Sequence, residues 1–239
     1  MKICIDAGHG KNTAGKRCLK TIDANETREW VLNNRVAELL SKLLENYGCD
    51  VLRVDDVTGA NDVSLIERVN RANNWKADVY ISIHHNAGIN GRSGGGISVY
   101  YYSTKAERDE QARAFYKELI EHTGLKGNRS TPVQCYPYYV IKNTKMPAFL
   151  IENGFMDSTT DTPIILTQEH AIRTASAIVD FLVSCFGLKQ NGNSENPVDV
   201  IVPRETYYER LGKAFNKCMD EIESTESYKE LLDIMAEGE

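Results

Sequence analysis

The chain has 239 residues, a length that accommodates one large domain or one domain with a small appendage. Hydrophobic residues make up 41% of it and charged residues 26%, so the composition predicts a packed core rather than disorder. The formal net charge of −6 argues against a general nucleic-acid-binding protein, which usually carries a basic stripe. No run of about 18 apolar residues is present, so no membrane-spanning helix is expected.

Short apolar segments alternate with segments of helical periodicity along the first three quarters of the chain. The pattern predicts strands over residues 2–6, 51–54, 78–83, 97–102 and 148–151. It predicts one helix that begins at Glu29 and is ended by Gly48, and further helices over residues 65–75, 105–122 and 168–186. This alternation indicates an α/β fold with a mostly parallel sheet flanked by helices.

The rest of the chain differs in composition. We predict a main domain over residues 1–188, a polar linker over 189–202 and a short helical segment over 203–239. The last segment holds five basic and ten acidic residues, and an apolar stripe at helical spacing runs along it. We expect this stripe to pack on the main domain or to pair with a second copy of the chain.

The six cysteines are scattered without a CxxC pair. Disulfide frameworks are typical of shorter secreted chains, and cysteine zinc sites need paired spacing. The first residues, MKICIDAGHG, show neither the basic segment nor the apolar core of a signal peptide. We therefore expect reduced thiols and synthesis in the cytoplasm.

Three predicted strands end at residues that can bind a metal or move a proton. His9 follows the first strand, His84 the third and Glu152 a late one. In open α/β sheets ligands bind beyond the carboxyl ends of the strands. We therefore expect these three side chains to lie close together.

Glu29 opens the first long helix, where a carboxylate is favoured by the helix N-terminus. The alternative is a role as a third metal ligand. A catalytic zinc ion commonly has three protein ligands, such as two histidines and a glutamate. His9, Glu29 and His84 would supply that set, and Glu152 would be free to transfer a proton.

Four motifs, in order, resemble the zinc-dependent N-acetylmuramoyl-L-alanine amidases of the Amidase_3 type. They are IDAGHG at 5–10, Glu29 with the helix NNRVAELLSKLLENYG at 33–48, ADVYISIHHNA at 77–87 and PAFLIENGFMD at 147–157. The resemblance implies a six-stranded sheet, one catalytic Zn²⁺ and hydrolysis of the amide between N-acetylmuramic acid and L-alanine in peptidoglycan. It assigns the metal ligands to His9, Glu29 and His84 and the catalytic role to Glu152.

Two positions have a competitor close by in the sequence. Glu26 competes with Glu29, and the family's spacing to the following helix selects Glu29. Adjacent side chains of a strand face opposite ways, so only one of His84 and His85 can point at the metal, and the family pattern selects His84. We expect His85 either to line the substrate groove or to face the core, and Asn86 to bind substrate or fix its loop.

Other residues allow two interpretations each. Asp6 could orient His9 or cap a loop. Arg68 could form an ion pair or be a solvated charge. Tyr136, Tyr138 and Tyr139 could form an aromatic wall for the substrate or simply pack together.

The resemblance makes peptidoglycan the expected partner. With no leader visible, we expect an endolysin that is made in the cytoplasm and reaches the wall after release, and a bacterial autolysin is the alternative. A zinc peptidase that cuts within the peptide stem is the competing enzyme. A non-catalytic wall-binding protein is the competing class.

Overall fold

The computed structural model describes residues 1–189 and is organised around one sheet. Its six strands are β1 (Lys2–Ala7), β2 (Asp50–Arg53), β3 (Val79–Asn86), β4 (Ile97–Tyr101), β5 (Val133–Cys135) and β6 (Ala148–Phe155). Its helices are α1 (Glu29–Glu45), α2 (Leu65–Trp75), α3 (Ala106–Thr123), α4 (Tyr139–Asn143), α5 (Thr162–Ile165) and α6 (Gln168–Phe186). The predicted linker beyond Lys189 and the predicted helix over 203–239 lie outside the described residues.

The strand order is β2-β1-β3-β6-β4-β5. Strands β1, β2, β3 and β6 are parallel to one another. Strand β4 runs antiparallel to β6, and β5 runs parallel to β4. The predicted α/β class with a six-stranded, mostly parallel sheet is confirmed, and two strands at one edge run in the opposite direction.

Both faces of the sheet are buried, and successive residues of a strand serve opposite faces. Ile3 and Ile5 of β1 belong to the larger apolar cluster, which contains α1, α3 and α6. Cys4 between them belongs to the smaller cluster with α2 and α4. Burial on both sides explains why the strands are almost continuously apolar.

Three short elements were not predicted: β5, α4 and α5. Each has five residues or fewer, too few to show a period. Strands β3 and β6 also continue beyond their predicted apolar parts, because backbone pairing between them extends through His84 and Glu152. Hydropathy alone does not reveal such pairing between polar residues.

Within the described part of the chain, no helix is long and apolar enough to span a membrane. The five cysteines among residues 1–189 are free thiols.

Candidate metal centre and adjoining cleft

The structure brings His9, Glu29 and His84 together at the carboxyl ends of β1 and β3. One potential ligand atom from each lies within 4.8 Å of those of the other two. His84 Nδ1 is 3.0 Å from Glu29 Oε1, and His9 Nε2 is 3.4 Å from Glu29 Oε2. The imidazole rings stand edge to face with centroids 4.9 Å apart.

The first histidine lies in a turn that the surrounding structure constrains. The backbone of His9 has φ 66°, in the left-handed region that non-glycine residues rarely adopt. Just before it, the Gly8 amide donates to Ile83 O at 3.0 Å, continuing the pairing of β1 with β3. Arg68 Nη2 donates to His9 O at 3.0 Å, so both sides of the turn are anchored.

Two of the three candidate ligands, Glu29 and His9, have the protonation state that binds a metal. Burial alone would raise the pKa of Glu29, but the hydrogen bond with His84 and the positive charges of His84, His9 and Lys16 hold that pKa at about 2. Burial lowers the pKa of His9 to about 4, against the opposing charge of Glu29. At neutral pH the site therefore offers an ionised carboxylate and, at His9, a neutral imidazole with a free lone pair.

Glu152 lies beside this cluster on the neighbouring strand. It pairs with His84 in the parallel register of β3 and β6. Burial raises the pKa of Glu152 to about 7; the charge of Glu29 adds to this, and those of His84, Lys16 and Arg129 oppose it. A carboxyl group with such a pKa can accept and return a proton near neutrality.

Two buried carboxylate oxygens in this cluster have no hydrogen-bond partner among the described residues: Glu29 Oε2 and Glu152 Oε2. Buried polar atoms are normally paired. Glu29 Oε2 has only longer ion-pair contacts, to His9 Nε2 at 3.4 Å and Lys16 Nζ at 3.7 Å, so both oxygens leave room for a further partner. The donor set of two imidazoles and one carboxylate is a common one for catalytic zinc. The residues present therefore fit a zinc ion, with Glu152 next to it.

The structure distinguishes Glu29 from Glu26, and His84 from His85, as members of the cluster. The side chain of Glu29 is 1% exposed and lies against both histidines, whereas Glu26 is partly exposed and pairs with Arg17 at 3.2 Å. His84 points to the cluster. His85 points the other way, where its Nδ1 lies 2.7 Å from Asn33 Oδ1.

The expectation that His85 lines the substrate groove is wrong, because the residue is 3% exposed and its side chain is held against α1. Asn33 in turn donates to Gly8 O at 3.1 Å. Through Asn33, His85 therefore supports the turn that carries His9. The other alternative, in which His85 faces the core, describes its position. Asn86 lies in the wall of the cleft beside Glu152.

Asp6 and Arg68 form a buried ion pair below the site. Asp6 Oδ2 also accepts hydrogen bonds from Tyr80 and Ser82, both at 2.8 Å. Asp6 shows no hydrogen bond to His9; it holds Arg68, whose guanidinium donates to the backbone of the first turn. Tyr80, Ser82 and Asn33 also belong to this support, and their only signal in the sequence is a polar group within an otherwise apolar pattern.

A cleft of about 640 Å³ opens above the cluster. Tyr138 and Tyr139 form part of its wall together with Lys16, which no motif in the sequence points to. Tyr138 also packs edge to face on Tyr100, with ring centroids 5.1 Å apart, and Tyr136 lies 4.7 Å from Tyr138. The tyrosine cluster therefore packs internally and also borders the cleft.

Comparison with known proteins identifies relatives along most of the described chain. The family model described as N-acetylmuramoyl-L-alanine amidase matches residues 3–184. The amidase CwlM of Bacillus licheniformis is 30% identical over 192 residues, which is 80% of this chain and 71% of that protein. The probable cell wall amidase LytH of Staphylococcus epidermidis is 33% identical over 193 residues, 79% of this chain and 57% of that protein.

Solved structures show the same fold. The crystal structure of N-acetylmuramoyl-L-alanine amidase from Clostridium difficile 630 superposes with a TM-score of 0.68 at 28% identity. The match covers 79% of this chain and 97% of that one.

Proposed function

The chain belongs to the N-acetylmuramoyl-L-alanine amidase family and is an amide hydrolase of peptidoglycan, and from this premise we propose how its residues perform the reaction. His9, Glu29 and His84 hold one Zn²⁺, and Glu152 transfers the proton. The bond cleaved is the amide between the lactyl group of N-acetylmuramic acid and L-alanine of the stem peptide. The observation that carries the proposal is the convergence of the three ligand side chains next to Glu152, whose Oε2 atom is buried and has no hydrogen-bond partner among the described residues.

When bound by His9, Glu29 and His84, a zinc ion would lower the pKa of a water molecule and polarise the carbonyl of the substrate. Glu152 accepts the proton of the attacking water as the new C–O bond forms. It then donates this proton to the nitrogen of L-alanine as the C–N bond breaks, releasing a free amine. The pKa of about 7 suits both directions of transfer.

The structure of the first turn supports the positions of the ligands. His9 is held by hydrogen bonds to the backbone on both of its sides, and His84 is held by its strand and by Glu29. Positioning of this kind avoids reorganisation when the metal binds, which favours affinity.

Substitution of Glu152 by Gln tests the proposal. The variant should retain about one zinc ion per chain and lose at least roughly a hundredfold in turnover of purified peptidoglycan, the usual range for a lost proton-transfer group. Glu121→Gln, at an exposed position on α3, is the control and should hydrolyse normally. Near-normal turnover of Glu152→Gln would exclude the proton-transfer role.

Mass spectrometry of the products distinguishes the amidase from a peptidase. A free amine on L-alanine together with an intact lactyl carboxylate is the expected product. A new amine within the stem peptide would point to peptidase activity, which the named relatives do not support.

The remaining parts of the chain are also proposals. We assign catalysis to residues 1–188, with residues 189–202 as a linker and 203–239 as a helical segment whose apolar stripe packs within the chain or mediates self-association. Sedimentation of the full chain and of a variant with Leu211→Asp tests this association. Endolysin-like release stays a prediction, and fractionation of cells that express the full chain before and after membrane permeabilisation tests it.

A further inference from the structure

A second cleft, of about 730 Å³, adjoins the cleft above the metal site. Asn86 and Tyr138 belong to the walls of both clefts. The other walls of the second cleft come mainly from residues 87–95, before β4, and residues 128–131, before β5. A substrate held beside Glu152 can therefore continue past Asn86 into the second cleft.

The two clefts differ in charge. Asp6, Asp62 and Glu152 line the first cleft together with Lys16 and Arg68, so charges of both signs meet there. The described lining of the second contains no carboxylate and two arginines, Arg92 and Arg129. On a chain with a net charge of −6, such a cationic cleft favours an anionic ligand.

Arg129 is prepared to bind such a ligand. Its guanidinium carbon lies 5.4 Å from the centre of the Phe155 ring, so the aromatic face supports the cation. Its Nε atom is buried and has no hydrogen-bond partner among the described residues. An arginine side chain presents its N–H groups as a planar fork that matches a carboxylate.

The wall segments of this cleft are fixed to each other. Gly95 N donates to Asn128 Oδ1 at 2.9 Å, and Asn128 N donates to Gly95 O at 3.2 Å. At Gly127, which has φ 66°, a Cβ atom would lie 2.1 Å from Gly95 O. The segments before β4 and β5 therefore form a joined, pre-organised wall, which lowers the entropic cost of binding.

We propose that Arg129 binds a free carboxylate of the stem peptide, so that the second cleft receives the peptide side of the substrate. This inference rests on the proposed function. The carboxyl of the lactyl group is consumed in the scissile amide, and N-acetylated sugars are uncharged, so the glycan side offers no carboxylate. The peptide side does carry free carboxylates, and the cationic cleft therefore distinguishes the two ends.

Binding of the product peptide tests the proposal more directly than turnover, because the charge of Arg129 also acts on Glu152. Isothermal titration of the zinc-loaded full chain would use two L-alanyl stem peptides, one with free carboxylates and one with carboxamides in their place. The wild type should bind the carboxylate peptide at least roughly tenfold more tightly. Arg129→Gln should remove this difference by weakening only the carboxylate peptide.

Two further variants separate binding from folding. Arg129→Lys keeps the charge but lacks the fork, and it should retain part of the preference. Arg108 also lies over an aromatic ring, 5.6 Å from the centre of Phe149, but lines neither cleft. Arg108→Gln should retain the full preference.

The proposal is overturned if the wild type binds both peptides equally or binds neither. It is also overturned if Arg129→Gln, with an unchanged melting temperature, weakens both peptides to the same extent. A wild-type chain that prefers the carboxylate peptide yet does not cleave muramoyl-L-alanine amides would instead refute the proposed function.

Discussion

Gly8 lies directly against the imidazole of His84. A Cβ atom at position 8 would be 2.0 Å from Cε1 of that ring and 2.4 Å from both ring nitrogens. No side chain larger than hydrogen fits there without moving a proposed zinc ligand.

We therefore predict that Gly8→Ala sharply weakens zinc binding, measured by competition with a chromophoric chelator. Gly15 is the control, because its φ of 74° strains any replacement but a Cβ atom there meets nothing within 4 Å. Gly15→Ala should cost about 1 kcal/mol of stability and retain zinc. Normal zinc affinity in Gly8→Ala would show that the ring can shift without harm.

Zinc content should depend on the proposed ligands and not on any histidine near carboxylates. His122 lies 2.9 Å from Asp180 and 4.0 Å from Glu118 on the surface of α3 and α6. We predict that His84→Ala loses the bound zinc in elemental analysis and that His122→Ala keeps it. Equal loss in both variants would contradict the assignment of the site.

The buried pair of Asp6 and Arg68 should matter for both stability and the metal. Replacing Asp6 by Asn removes the buried counter-charge of a guanidinium that is 1% exposed and leaves it only the half-exposed Asp62, 3.0 Å from Nη2. Breaking a buried pair of this kind typically costs about 3–5 kcal/mol. Urea unfolding should show this loss, and zinc affinity should fall because Arg68 holds the backbone of His9. The exposed Arg113 pairs with Asp109, and Arg113→Met should change stability by less than about 1 kcal/mol.

The free energy of unfolding should decrease in mild acid because His170 is buried in its neutral form. Burial lowers the pKa of His170 to about 4, although a hydrogen bond to Asn153 O opposes this. A histidine in the unfolded chain has a pKa of about 6.5. Below that pH the unfolded chain binds a proton at His170, and the folded chain does not. The free energy of unfolding therefore decreases from pH 6.5 to about 4, by on the order of 3 kcal/mol for this group.

His170→Gln should reduce the slope of this dependence, measured by urea unfolding between pH 7 and 5, and the part that remains belongs to His85 and His9, whose pKa values burial also lowers. An identical slope in the variant and the wild type would assign the acid sensitivity to other groups.

Much of the fold could be predicted because hydropathy reports burial. The start of α1 at Glu29 and the span of α2 follow from apolar spacing alone. The reversed direction of β4 could not be predicted, because strand pairing is a long-range property that a strand's own pattern does not encode.

The candidate site, like the fold, could be predicted only in part. Chemistry-bearing residues at strand ends indicated which side chains converge, since parallel strands end at one edge. The residues that support the site were harder to predict. Arg68 lies on a helix with the composition of a surface helix, and its burial depends on Asp6, which is 62 residues away. The alternation of side chains along a strand indicated that His84 and His85 point in opposite directions. It did not indicate which residues each side chain contacts.

The antiparallel direction of β4, shared by β5, has a consequence for how this enzyme could be altered. The proposed ligands His9 and His84 lie at the carboxyl ends of the parallel strands β1 and β3, whereas segments that precede the reversed strands form the second cleft at the same edge. Loop grafts at residues 87–95 and 128–131 could therefore retarget the enzyme to other cell-wall chemotypes while its reactive machinery stays intact.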